Sequence, residues 1–430
     1  MTIYSPHHSN TKSNTKTVGI VGAGIVGICC ALYLQRSGYK VTLIDGKGIS
    51  QGCSKGNAGH FATEQVFPLA DKSLLPQLPK MLLDPLGPFR IKLSYLFKAM
   101  PWFVRFLFNM QDKKVQSHTL ALRSLNEKSI VAYQPLLDDA DLGHLLSTKG
   151  SLLTFETTKQ SQIEKLLGAF RAEGINLELL DRKQLEELEP GLDKRVKSAI
   201  LFKDVAHTCD PELLSFELTK HFLKNGGEFI QQDVDLLQPH ALGIEVKLKH
   251  KNLRFNKVVV ATGAWSKQLV APLGYKVPIE AERGYHLMLE QHKLLNRPVA
   301  SAERKFIMTP MSAGLRLAGT VEFAGLNAKM NEKRADALLP HAKQLLPELA
   351  EHVPSGNEKW MGCRPSLPDS LPVIGHAPRH KHLYFAFGHQ HLGLTQGAIT
   401  GKIISELIDN KPPSVDVSPF NINRFNNSPF

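Results

Sequence analysis

TVGIVGAGIVGICCALYLQRSGYKVTLID, Thr17 to Asp45, is the stretch that decides the fold. Its opening run, Val18-Gly19-Ile20-Val21, has the unbroken apolar character of a strand buried on both faces. Gly22, Gly24 and Gly27 follow in G-x-G-x-x-G spacing, and Ile25, Ile28, Cys29, Leu32 and Leu34 carry a helical pattern to Ser37-Gly38. A second strand, Lys40 to Ile44, ends at Asp45. Gly22 makes the tight turn, Gly24 admits a pyrophosphate close to the backbone, and Gly27 lets helix and strand pack. The pyrophosphate sits over the helix N-terminus, so Gly22, Ala23, Gly24, Ile25, Val26 and Gly27 form the predicted cradle. Asp45 accepts hydrogen bonds from ribose hydroxyls and disfavours the 2′-phosphate of NADP. Strand, turn, helix, strand and acid arrive in the order a dinucleotide site needs, which leaves FAD and NAD both open.

A chain of 430 residues accommodates two domains with ample cores. Apolar residues make up 42% and charged residues 21%, as in ordinary globular proteins. The formal charge of +12 invites anionic partners, but the absence of a basic block or a nucleic-acid module argues against nucleic acid. Cys29, Cys30, Cys53, Cys209 and Cys363 form neither C-x-x-C nor a disulfide framework, which fits a reducing cytoplasm. Residues 1–16 are polar, lack an apolar h-region and read as a disordered leader.

After Asp45 a Gly/Ser/Asn-rich loop, GKGISQGCSKGNAGH, can wrap a second side of the cofactor, and His60, Glu64 and Gln65 can face its ring. Residues 68–146 read as mostly helical, with breaks at prolines 76, 79, 85, 88 and 101. The apolar stretch Ile91 to Lys114 is interrupted by Lys92, Lys98, Pro101 and Arg105, so it is no transmembrane span. Ser94, Lys98, Arg105 and Asn109 share one helical face, consistent with a helix lying in a membrane interface and equally with one packed on its own domain. Downstream come a strand at Gly150–Glu156 and helices at Lys159–Glu173, Arg182–Leu188 and Glu212–Lys224, the last capped by Asp210 with Pro211 in its first turn. Strands follow at Glu228–Gln231, Ile244–Leu248 and Lys257–Gly263, the last ending in Ala261-Thr262-Gly263 beside the first nucleotide site. Alternation from Lys276 to Glu322 predicts an antiparallel sheet. Asp336–Leu349 is helical, and the chain closes with a strand, a glycine turn over Gly388–Gly393 and a helix from near Thr395.

These pieces, with S-x-x-N-A-G at Ser54–Gly59, R-P-x-x-P-D-x-x-P-x-x-G from Arg364 and G-H-x-x-x-G-x-T from Gly388, resemble the D-amino-acid oxidase superfamily of FAD enzymes. Within it the chain is most similar to bacterial D-amino-acid dehydrogenases of the D-proline or D-hydroxyproline type, from about Val18 to Phe425. The resemblance implies an α/β fold whose two domains are both discontinuous. A Rossmann-like FAD-binding domain would comprise residues 17–62, 196–270 and 370–430, and a substrate domain with antiparallel sheet and helices residues 63–195 and 271–369. It also implies that Ser54, Asn57, Ala58, Gly59, Val234, Ala261, Thr262, Gly263, Gly388, His389, Leu392, Gly393, Leu394 and Thr395 join the first glycines and Asp45 around FAD.

Arg364 precedes a proline, so its backbone is held extended, and a guanidinium grips a carboxylate through two parallel hydrogen bonds. The resemblance gives Arg364 the carboxylate of the substrate and places Tyr285 near it, while His286 alternates to the opposite face and reads as structural. The helix near Thr395 would stabilise the negative edge of a reduced flavin, with His389 as a second donor or proton carrier. His389 and His391 lack a third ligand and form no metal site. Cys363 lies where monomeric sarcosine oxidase attaches FAD covalently, in a motif resembling the non-covalent branch. The implied reaction is oxidative deamination of a D-amino acid, hydride passing from the α-carbon to flavin N5 and electrons onward to a quinone or other carrier. Alternatives are a glycine- or sarcosine-type oxidase using oxygen, an NAD-linked dehydrogenase, and a basic flavin-binding protein without amine oxidation. The expected location is cytoplasmic, with or without a peripheral contact on the inner membrane face through residues 91–114, the packed helix being the favoured reading.

Overall fold

The computed structural model describes residues 16–72, 75, 86–290, 294–351 and 357–426. The leader reading, apart from Lys16, and the proline breaks at 76, 79 and 85 lie outside the described residues. Among the described residues, two large sheets organise the chain. The first has six strands in the order Val373–His376, Leu383–Phe387, Lys257–Val260, Thr17–Val21, Lys40–Ile44 and Glu228–Ile230. Its pairs are parallel except at the Val373–His376 edge.

Alternation explains why these strands are apolar throughout. Val18, Ile20, Val41, Leu43 and Val259 point into a core shared with the helices Ile25–Arg36 and Gly393–Ile408. Val21, Ile44, Val258 and Val260 point the other way, against Leu237, Ile244, Val246 and Phe255 of a three-stranded antiparallel layer (Val234–His240, Gly243–Leu248, Asn252–Phe255). With both faces covered, no polar alternation survives.

The second sheet has nine strands. Glu358–Ser366 lies at one edge beside Glu280–Glu290, followed by Gly314–Phe323, Phe306–Met311, Val299–Ser301, Ser151–Phe155, Ser198–Phe202 and Leu177–Leu180, with Phe89–Ile91 beside Gly314–Phe323. Two parts of the chain differ from the expected division. Ser198–Phe202, assigned by sequence to the FAD-binding segments, pairs in this second sheet. The helices Asp112–Asn126 and Ser129–Ala140, assigned to the substrate segments, bury Leu122, Leu125, Ala132 and Tyr133 in the same core as the opening helix. Amphipathic periodicity shows that a face is buried but not what covers it.

The helix Leu96–Phe108 runs through Pro101 and docks by Ala99 and Trp102. Trp102 Nε1 donates to the Ser366 carbonyl (3.2 Å), and its ring lies 5.1 Å from Phe106 and 5.2 Å from Phe323. Phe97 (85% exposed) and Leu93 (75%) point away from the protein, joined by Leu107 and Met100. Among the described residues no helix is long and apolar enough to cross a membrane.

Candidate functional site

The turns and loops after four parallel strands (Thr17–Val21, Lys40–Ile44, Lys257–Val260 and Leu383–Phe387) converge on one cleft of about 450 Å³. This is the end at which open parallel sheets bind ligands. Gly22 (φ 109°) turns the chain so tightly that a Cβ there would lie 2.6 Å from the Ala261 carbonyl carbon. A Cβ on Gly27 would overlap the Gly22 carbonyl, so helix and strand meet at this distance only through glycine. Asp45 braces the turn, accepting from the Ala23 N–H (2.9 Å) and the Lys47 N–H (2.8 Å). Ser54 Oγ accepts from the Ile25 N–H (2.9 Å), which fixes the Gly/Ser loop against the helix start.

Two helices begin at this cleft, Ile25–Arg36 and Gly393–Ile408. Neither is capped by the side chain of its own N-cap residue, Gly24 or Leu392, and neither has an acidic residue in its first turn. Their N-terminal dipoles present two positive poles to the cavity. A long anionic ligand suits this pair, with a diphosphate at the first pole and an electron-accepting ring at the second. The residues present therefore fit FAD.

Of the residues expected around a cofactor, Gly22, Gly24, Ile25, Val26, Asp45, Ser54, Asn57, Val234, Ala261, Thr262, Gly263, Gly388, His389, Gly393 and Leu394 line the cleft. Ala23, Gly27, Ala58, Gly59, Leu392 and Thr395 do not line it and sit among its supports. Gly59 N–H donates to Asn57 Oδ1 (2.9 Å), and Thr395 Oγ1 accepts from the Ala62 N–H (2.9 Å), tying the loop to the second helix. Lys47 and Cys53, within the loop expected to wrap the cofactor, and Gln390, within the Gly388–Gly393 turn, also line the cleft; sequence reasoning missed Gln232, Asp233, Trp265 and Pro365, which line it too. Lys47 Nζ stands 4.2 Å over the Trp265 ring, a contact across 218 residues that no local pattern announces. Gln390 takes a left-handed conformation (φ 50°) and its side chain donates to the Leu367 carbonyl (2.8 Å), holding the Gly388–Gly393 turn.

Arg364 lies beside the cleft, between the lining residues Cys363 and Pro365. It faces Glu282 in register across the antiparallel pair, and its Nη1 donates to Glu282 Oε1 (3.0 Å). The guanidinium lies across Gly284, where a Cβ would come within 2.5 Å of Arg364 Cζ. A side chain at 284 would push the guanidinium from this position. His391, at the turn before the second helix, is held down to about 4, first by burial, with Glu282 opposing and Arg364 and His60 reinforcing the shift. Cys53 is pushed up to about 12, mainly by burial and then by Cys363, and it too feels Arg364 and Glu282. His391 and Cys53 thus both feel the charges of Arg364 and Glu282 beside the cleft, with Cys53 in its lining. His60 and Glu64 stand close by, Nε2 to Oε1 at 3.4 Å, and the exposed Gln65 donates through its side chain to the same Glu64 oxygen (3.4 Å).

The structure does not bring Tyr285 to Arg364. Pleating sends the two side chains to opposite faces, and the buried Tyr285 hydroxyl donates to Glu322 Oε2 (2.5 Å), which also pairs with Arg283 (2.9 Å). His286, on the face of Glu282, stacks on Trp360 (5.1 Å) with Nδ1 3.1 Å from the Gly56 carbonyl. His389 lines the cleft, but its Nε2 is 2.9 Å from Thr400 Oγ1 and burial pushes it down to about 3. A histidine kept neutral in this way adds no positive charge near pH 7 and keeps one ring N–H. Cys363 is 6% exposed and burial raises it, so it is a protonated thiol at the wall.

The family described as FAD dependent oxidoreductase matches residues 17–407. A D-amino-acid oxidase of Bradyrhizobium diazoefficiens is 34% identical over 414 residues, covering 95% of this chain and 98% of that protein. A D-amino acid dehydrogenase of Vibrio vulnificus is 28% identical over 400 residues, 90% of this chain and 95% of its own. Among solved structures, glycine oxidase from Geobacillus kaustophilus superposes with a TM-score of 0.71 at 20% identity, covering 95% of this chain and 99% of its own, a likeness of fold.

Proposed function

Since this chain belongs to the family of FAD-dependent oxidoreductases, we propose that it oxidises a D-amino acid to the imino acid, with Arg364 as the carboxylate clamp. The observation that carries this reading is the guanidinium itself. It is 26% exposed, lies across a glycine that leaves it room, and has Glu282 as its hydrogen-bond partner, so donors remain for a ligand. A planar guanidinium with two parallel donors orients a carboxylate as an ammonium cannot.

Gly22, Gly24, Asp45 and Ser54 would hold the adenosine diphosphate part of FAD, and the start of helix Gly393–Ile408 its ring. Bound FAD supplies the two-electron acceptor for the α-C–H bond. The chain supplies orientation, through Arg364, and a positive helix pole where negative charge develops. His391 and His389, both neutral, add polar groups without adding charge. The D configuration rests on the relatives named for D-amino acids.

The acceptor we propose is a quinone or another electron carrier, not oxygen. It accords with the exposed apolar side chains of Leu93, Phe97, Met100 and Leu107 and the exposed Lys92 and Lys98, which suit a peripheral contact with an anionic membrane face. The test is anaerobic titration of the FAD-loaded protein with D- and L-amino acids, followed near 450 nm, the region of a flavin band. Bleaching by D-amino acids, lost in Arg364→Ala, is the expected result. A flavin that no amino acid reduces overturns the reading, and stoichiometric peroxide in air moves the acceptor to oxygen.

A further inference from the structure

The clamp does not stand alone. Arg364 and Glu282 form a pair at 3.0 Å, with Glu282 only 5% exposed. Glu282 is buried and Arg364 half-buried, so the pair persists because its charges cancel, and an uncompensated third charge beside it is disfavoured. A ligand that is only a carboxylate, set on Arg364, leaves this corner with a net negative charge. A zwitterion does not: its carboxylate meets Arg364 and its ammonium answers Glu282.

The neighbouring groups do not change that balance. His391, held down to about 4, is neutral near pH 7, and Cys53, pushed up to about 12, is a neutral thiol. His60 and Glu64 close on each other at 3.4 Å. Arg283 is taken by Glu322 on the other face of the strand, and Lys47 lies over Trp265.

We infer that Glu282 holds the amino group of the bound amino acid, so that the site takes zwitterions and discriminates against carboxylates that lack an ammonium. This builds on Arg364 as the carboxylate clamp. Two contacts on neighbouring strands, one to each polar end of the ligand, fix two of the four bonds at the α-carbon. Arg364 alone fixes one.

The test uses two ligands of one shape, neither with an α-hydrogen to lose: 2-aminoisobutyrate, a zwitterion, and pivalate, in which a methyl group replaces the ammonium. Dissociation constants for the FAD-loaded enzyme come from the change in flavin absorption and from competition with a D-amino acid. Wild type is expected to prefer 2-aminoisobutyrate by at least about tenfold, as for one desolvated charge contact. In Glu282→Gln that preference collapses, with pivalate binding more tightly and 2-aminoisobutyrate more weakly. Glu282→Asp, which keeps the charge, retains the wild-type order. Pivalate binding wild type as tightly as 2-aminoisobutyrate overturns the inference even if no variant folds. So does an unchanged preference in Glu282→Gln. If Arg364→Ala leaves both affinities intact, the carboxylate clamp itself is refuted and the inference falls with it.

Discussion

Gly284→Ala tests the clamp without removing its charge. Gly284 is not among the positions with positive φ, so alanine meets no backbone strain, only the guanidinium. The new Cβ would stand 2.5 Å from Arg364 Cζ, and carbon atoms settle at about 3.5–4.0 Å, so the guanidinium must retreat by roughly 1 Å. Hydrogen bonds to charged groups contribute about 1.5–3 kcal/mol each, so spoiling one of two parallel bonds costs about 2 kcal/mol. That corresponds to a loss of roughly 30-fold in kcat/KM, at about 1.4 kcal/mol per factor of ten. The assay is steady-state reduction of an artificial electron acceptor by a D-amino acid, with flavin content and Tm measured alongside. We expect a raised KM with flavin content close to wild type. A kcat/KM within about threefold of wild type, in a protein that folds and holds FAD, would falsify the placement of Arg364 across residue 284.

Gly27→Val should yield protein without bound flavin, because the side chain occupies the space of the Gly22 carbonyl; a yellow, fully loaded variant contradicts this packing. Tyr285→Phe leaves Glu322 with Arg283 as its remaining close partner. It should lower stability by about 1–2 kcal/mol in urea unfolding while leaving kcat/KM within about threefold, and a large kinetic loss would return Tyr285 to the substrate. His207 and His391, held down to about 4, and His286 and His389, held down to about 3, sit below the ordinary 6.5 chiefly through burial. The unfolded chain therefore binds more protons, so stability is fully present above about 6.5 and falls as pH drops toward the folded values. Urea midpoints should be lower at about pH 5 than at about pH 7.5, and a flat or inverted profile rules this contribution out. Phe97→Ser with Leu93→Ser should abolish flotation with anionic vesicles and leave flavin reduction intact. A wild-type protein that never floats removes the membrane proposal.

Much of the fold was legible because the dinucleotide motif is local. Val18 to Asp45 carries its own strand, turn, helix and acid, and Gly22 and Gly27 do in three dimensions what their spacing predicts. Asp210 caps its helix at the Leu213 N–H (2.8 Å), as a side chain three residues away can be expected to do. Period-two alternation likewise separated Tyr285 from His286, though it could not say which of them shares a face with Arg364.

Other features depended on contacts between distant segments, which composition and spacing do not encode. Glu282 and Arg364 are 82 residues apart and meet through strand register; Lys47 meets Trp265 where two turns converge. The helices at 112–140 joined the core of the nucleotide-binding sheet, although their apolar faces suited either sheet. The helix at 96–108 could be read as packed or interfacial until the docking of Trp102 showed which side is covered and left Leu93 and Phe97 outside. By itself the sequence determined the dinucleotide cradle, since those contacts lie close along the chain. The charge balance around Arg364 was decided by tertiary structure alone, because it depends on which distant strand lies alongside it.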